Sequence, residues 1–96
     1  MITIVVTIPV QPEKIEHFES VIRVLEAAVH EHEADCLLYR MSKSRTVPHT
    51  YVNLEMYTDQ AALDRHTEAA YFKNALTQFG DCLSAVPDIH YLDTVF

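Results

Sequence analysis

The sequence predicts an α+β sandwich with its elements in the order β-α-β-β-α-β. Three observations carry this. Residues 2–10 are β-branched almost throughout, a helix-period apolar stripe follows, and two further strand patterns are joined by only a short polar loop.

Ile2, Ile4, Val6 and Ile8 share one face of the first predicted strand, and Thr3, Val5 and Thr7 the other. Pro12 suits the first position of a helix, where its missing N–H costs nothing, and Glu13 and Glu16 favour the positive end of the helix dipole. Ile15, Phe18, Ile22, Leu25 and Val29 then recur at spacings of three and four, which makes this helix amphipathic. The stripe fades in His30-Glu31-His32-Glu33. A second strand spans about Cys36 to Ser42, and Lys43–His49 is a polar loop to a third strand, Tyr51–Tyr57.

Alternation puts Tyr51, Asn53, Glu55 and Tyr57 on one face of that third strand and Val52, Leu54 and Met56 on the other. Thr58-Asp59 is a helix-start signal, and the helical region runs to about Leu83 in two pieces, with Thr67-Glu68 read as the second start. His66 lies three residues after Leu63 and four after Ala62, on the apolar side. Phe72, Ala75, Leu76, Phe79 and Leu83 form the stripe of the second piece. Pro87 precedes a last strand from Ile89 to about Val95. Strands joined by a short loop pair antiparallel and both helices return over one face, so residues 1–96 form a single ferredoxin-like domain. The other sheet face still carries apolar side chains, and a homodimer is expected to cover it.

Composition narrows the function. Hydrophobic residues at 49% and charged ones at 22% describe an ordinary globular chain. A net charge of −7 argues against a nucleic-acid or anionic-membrane partner, because both reward clustered Lys and Arg. No apolar run approaches the roughly 20 residues needed to cross a bilayer, and no basic segment precedes one, so a cytoplasmic location is expected. A single glycine, Gly80, excludes a glycine-rich phosphate loop. Cys36 and Cys82 are too few and too distant for a metal knuckle and read as small buried residues. His30 and His32 point apart on a helix, so no metal site is expected there.

The pattern Glu33-x-x-Cys36-x-x-Tyr39, then Glu55-x-Tyr57-x-Asp59-x-x-Ala62-Leu63-x-x-His66, then Tyr71-Phe72, is similar to the antibiotic biosynthesis monooxygenase family. The resemblance covers essentially the whole chain and implies a dimeric α+β barrel of ferredoxin-like protomers. It spans cofactor-free oxygenases that convert phenols and quinols to quinones, haem-degrading proteins and an isomerase. Asp35 stands where the family commonly has Gly, and Tyr57 where it often has Trp; the chain has no Trp, which disfavours haem.

The resemblance implies an enzyme that oxidises a small aromatic with dioxygen as co-substrate and no bound cofactor. His66 is the candidate base, because its usual pKa of about 6.5 suits proton transfer near neutrality. Asn53, matched to the family by position, is a candidate to donate its amide to an oxygen that becomes negative. Tyr39, Glu55, Tyr57, Tyr71 and Phe72 are candidates for contacting the substrate. Each has a structural alternative: a satisfied core histidine, packing tyrosines, and a Glu55 paired with Arg40 or Arg65 at the surface. A buried Glu55 would instead orient the imidazole. Two rival functions stand beside the oxygenase: an isomerase of a small polar metabolite, phosphorylated or not, with Lys43, Arg45 or Arg40 to hold a phosphate, and a non-catalytic binding module for haem or another hydrophobic molecule.

Overall fold

The computed structural model describes all 96 residues. Strand β1 (Ile2–Pro9) leads through a 3-10 turn at Pro12–Lys14 into helix α1 (Ile15–His32). Strands β2 (Cys36–Lys43) and β3 (Thr50–Tyr57) form a hairpin. Helices α2 (Gln60–Glu68) and α3 (Ala70–Phe79) follow, then a 3-10 turn at Gly80–Cys82 and strand β4 (Asp88–Asp93). The sheet is antiparallel throughout in the order β2-β3-β1-β4, the ferredoxin-like arrangement that the element order predicts.

The helix stripe of α1 is buried as its spacing requires: Phe18, Val21, Ile22, Leu25 and Val29 are all inside. They pack with Ile8, Tyr39, Tyr51, Ala75 and Phe79 into the larger part of the core. A smaller cluster of Ile4, Tyr57, Ala62 and Leu63 lies under α2. Alternation holds along β3, where Tyr51, Asn53, Glu55 and Tyr57 are buried while the residues between them are not. The polar face of β3 therefore looks toward the helices.

Two boundaries differ from the sequence reading. The break between the helical pieces falls at Ala69, not at Thr67-Glu68. Thr67 donates its hydroxyl back to the Asp64 carbonyl at 3.1 Å, so it serves the helix it is in instead of opening a new one. Ala69 is extended (φ −65°, ψ 137°) and ends α2 while starting α3. The last strand ends at Asp93, two residues short of Val95, and its side chains are exposed on both faces. At the other predicted start Asp59 is the N-cap of α2, accepting from the Ala62 N–H at 2.9 Å.

Candidate active site

Three elements converge on one histidine. The stripe of α2 turns His66 inward until it is 2% exposed. Its ring lies among Tyr39 from β2, Tyr57 from β3 and Phe72 from α3, with centroids 5.1, 5.5 and 4.5 Å away. Glu33, just past the end of α1, meets Nδ1 with both carboxylate oxygens, at 2.9 and 3.1 Å. A nitrogen held against a carboxylate carries the hydrogen, so Nδ1 donates, and in the neutral imidazole Nε2 is the nitrogen with the lone pair. That Nε2 is buried and has no partner in the protein.

Glu33 is the residue that the sequence reading passed over. It lies where the apolar stripe of α1 fades, yet its side chain is 9% exposed and also accepts from the Tyr71 hydroxyl at 2.5 Å. The only sequence signal for it is its place in the Glu33-x-x-Cys36 pattern.

Glu55 is buried, as one of its alternatives required, but it is not the group that orients His66. It accepts from the Asn53 amide at 3.0 Å and from the Tyr57 hydroxyl at 2.7 Å. Neither predicted arginine reaches it: Arg65 pairs with Asp35 at the surface at 2.7 Å, and Arg40 is exposed. Burial raises the Glu55 carboxyl above the usual carboxylate range, against the opposing effect of its two hydrogen bonds and of His66. Burial likewise raises the Tyr39 phenol, reinforced by the charges of Glu55 and Glu33 and opposed by a hydrogen bond from Asn53. The Cys36 thiol, beside the same two carboxylates, is pushed up to about 11, chiefly by burial.

The Asn53 amide nitrogen is thus engaged by Glu55, and its Oδ1 is left buried without a partner.

A cavity of about 280 Å³ opens beside these groups. Asn53, Glu55, His66, Tyr39 and Phe72 line it, together with aliphatic side chains of β1 and α1 and with Leu76, Pro87, Ile89 and Tyr91. Tyr57 and Tyr71 do not. Tyr57 is fully buried behind Glu55, and Tyr71 stands on the far side of Glu33 with its ring stacked on His32. The two tyrosines hold the carboxylates. Lys43, Arg45 and Arg40 are likewise absent from the lining, and Lys43 lies instead by Glu19 and over the Tyr51 ring. No cluster of three or more His, Cys, Asp or Glu is arranged to hold a metal ion.

The family model described as antibiotic biosynthesis monooxygenase matches residues 1–78. Among solved structures the chain resembles a Caulobacter crescentus protein provisionally named an antibiotic biosynthesis monooxygenase. The two are 39% identical with a TM-score of 0.96, over 99% of this chain and 90% of that one. A conserved protein from Methanosarcina mazei is 25% identical over 95% of this chain and 89% of its own, with a TM-score of 0.89. Another structure, described as an antibiotic biosynthesis monooxygenase, is 23% identical, covers 99% of each chain at a TM-score of 0.90, and supports the fold alone. No curated protein matches the chain.

Proposed function

Because the chain belongs to the antibiotic biosynthesis monooxygenase family, we propose that it oxidises a small phenol with dioxygen and without a bound cofactor. The observation that carries this reading is the unpartnered Nε2 of His66, buried beside an apolar cavity while Nδ1 is held by Glu33.

Dioxygen is a triplet and reacts slowly with closed-shell molecules, but a phenolate can pass it one electron. In this reading Nε2 takes the phenolic proton, and the imidazolium is stabilised by the Glu33 carboxylate. The aromatic walls around His66 keep water from the phenolate. One oxygen atom enters the ring at a C–H carbon and the other leaves as water, so that a phenol and one dioxygen give a quinone and one water. His66, having taken the phenolic proton, returns a proton to the departing oxygen.

Haem fits poorly here: a cavity of about 280 Å³ falls just below the range of roughly 300–1,000 Å³ for small-molecule sites, and a porphyrin needs more. A phosphorylated substrate finds no Lys or Arg in the lining. The homodimer belongs to the same proposal, supported by the apolar outer face of the sheet and by exposed Ile89, Tyr91 and Leu92 on β4.

Oxygen uptake by metal-free protein across a panel of phenols, naphthols and hydroquinones tests the reading. Uptake above the spontaneous rate, with quinone formed in step and lost in His66→Ala, is expected. Uptake at the spontaneous rate with every compound overturns it.

A further inference from the structure

Glu55 is a buried ionisable group with no task in the chemistry above. It is 8% exposed and lines the cavity, yet no Lys or Arg meets it. Its hydrogen-bond partners are neutral donors, the Asn53 amide at 3.0 Å and the Tyr57 hydroxyl at 2.7 Å. An ionised carboxylate accepts at about four positions, so two hydrogen bonds leave lone pairs free. A buried carboxylate without a counter-charge is costly, and a neutral side chain would pack there as well. Burial raises its carboxyl, which makes the ionised form a stronger base than a surface carboxylate.

Phenol oxidation displaces two protons, one from the hydroxyl and one from the ring carbon that gains oxygen. His66 Nε2 accounts for the first. When the product is a para-quinone the two positions lie at opposite ends of the ring, and one imidazole does not serve both. The other titratable groups of the lining do not serve the second either. Tyr39 stays protonated, because burial and the charges of Glu55 and Glu33 raise its phenol. Asp64 and Tyr91 are exposed to solvent.

We propose that Glu55 is a second catalytic base, and that the cavity eliminates water from aromatic hydroperoxides whose peroxide-bearing carbon also carries a hydrogen. Glu55 takes that C–H proton. The C–H electron pair becomes the second bond of a carbonyl, the O–O bond breaks, and hydroxide departs with the O–O pair. The His66 imidazolium gives the hydroxide its Nε2 proton, forming water. Carbon is oxidised and peroxide oxygen reduced by the same electron pair, so no further oxidant or reductant enters. This rests on the reading of the cavity as a phenol-oxidising site, in which such a hydroperoxide precedes the quinone. A hydroperoxide supplied from outside tests it without the dioxygen step.

1-Tetralyl hydroperoxide has two fused rings, which suit a cavity of about 280 Å³, and it carries the required C–H but no phenol. Under argon, purified and chelator-treated protein is expected to convert it to 1-tetralone faster than buffer alone, without 1-tetralol. Radical decomposition by trace metal gives the alcohol beside the ketone. Deuterium on the peroxide-bearing carbon is expected to slow a single turnover, and cumyl hydroperoxide, which lacks that hydrogen, to survive. Glu55→Gln keeps the size and stays neutral; it is expected to lose roughly a hundredfold in rate with an unchanged circular dichroism spectrum. Glu55→Asp retains a carboxylate and is expected to recover part of that loss. The isotope effect needs no variant, so C–H cleavage is read whether or not Glu55→Gln folds. Tetralone at the buffer rate, no isotope effect, or full activity in folded Glu55→Gln overturns the proposal. Conversion by a chain that takes up no oxygen with any phenol sinks the oxygenase reading and leaves this one intact. Phenol turnover unimpaired in Glu55→Gln does the reverse.

Discussion

Glu33 and Glu55 are two buried carboxylates near one imidazole, and their hydrogen-bond partners separate their roles. Glu33 touches His66, so Glu33→Gln keeps an acceptor for the Nδ1 hydrogen while removing the charge that stabilises an imidazolium. A charge-assisted hydrogen bond is roughly twice as strong as a neutral one, so kcat is expected to fall about tenfold with KM little changed. His66→Ala is expected to cost roughly a hundredfold or more, the usual contribution of a positioned base. Steady-state oxygen uptake distinguishes the two; a Glu33→Gln enzyme with unaltered kcat would remove Glu33 from the mechanism. Glu55 is tested by pH. Its carboxyl is raised in the fold, so the folded state holds that proton more tightly than the unfolded chain, whose carboxylate titrates at about 4.3. Stability from this group is full below the unfolded value and is lost as pH rises through the folded one. Glu55→Gln should therefore melt at a higher temperature than wild type near pH 8, with the gap closing toward pH 4; a gap that widens on acidification contradicts the assignment. Of these two residues only Glu55 was legible in sequence, because a period-2 strand fixes which face it shares. Glu33 lies 33 residues from His66, and no local pattern reports a contact made by tertiary folding.

Helix α2 carries His66, and what positions that helix is mostly local. Asp59 caps it, and Ala69 interrupts the helical run one turn after the catalytic candidate. The cap was readable, because Thr58-Asp59 precedes an apolar-periodic segment. The break was not, because Ala69 has no capping side chain, while Thr67, which resembles a cap, turns its hydroxyl back into its own helix. Replacing a capping Asp by Ala costs about 1 kcal/mol, and in a domain of this size that lowers Tm by roughly 4–8 °C. Asp59→Ala is expected to show that loss in a thermal melt. An unchanged Tm would mean that packing of Ala62, Leu63 and His66 alone holds α2 in place.

The whole molecule leaves one face of its sheet unpartnered. Strand register sets its rows: Leu38, Met56, Thr3 and Leu92 lie side by side, then Arg40, Leu54, Val5 and His90, then Ser42, Val52, Thr7 and Asp88. The apolar side chains gather toward the first two rows, with Leu54 39% and Leu92 49% exposed, and the polar ones toward the third. Beyond the sheet, Val95 and Phe96 stand almost fully in solvent. A graded patch of this kind is poorly suited to open water and well suited to an isologous contact, in which each copy offers the same surface to the other. Leu54 sits at its centre, on the face of β3 opposite Asn53 and Glu55, so a charge placed there reaches the interface without entering the cavity. Leu54→Lys is accordingly expected to convert a dimer to monomer in sedimentation equilibrium, since two copies of a new charge would meet across the axis. The variant should keep its circular dichroism spectrum, because Leu54 contributes nothing to the core between sheet and helices. A wild-type chain that sediments as a monomer at micromolar concentration would leave the patch without its proposed occupant. A Leu54→Lys dimer as tight as wild type would move the interface off this face. The cavity gives the dimer a further consequence: Ile89 and Tyr91, which line it, lie on the exposed edge strand β4. If a second copy packs against that edge, dissociation loosens one wall of the site, and Leu54→Lys then raises KM while leaving His66 and Glu33 in place.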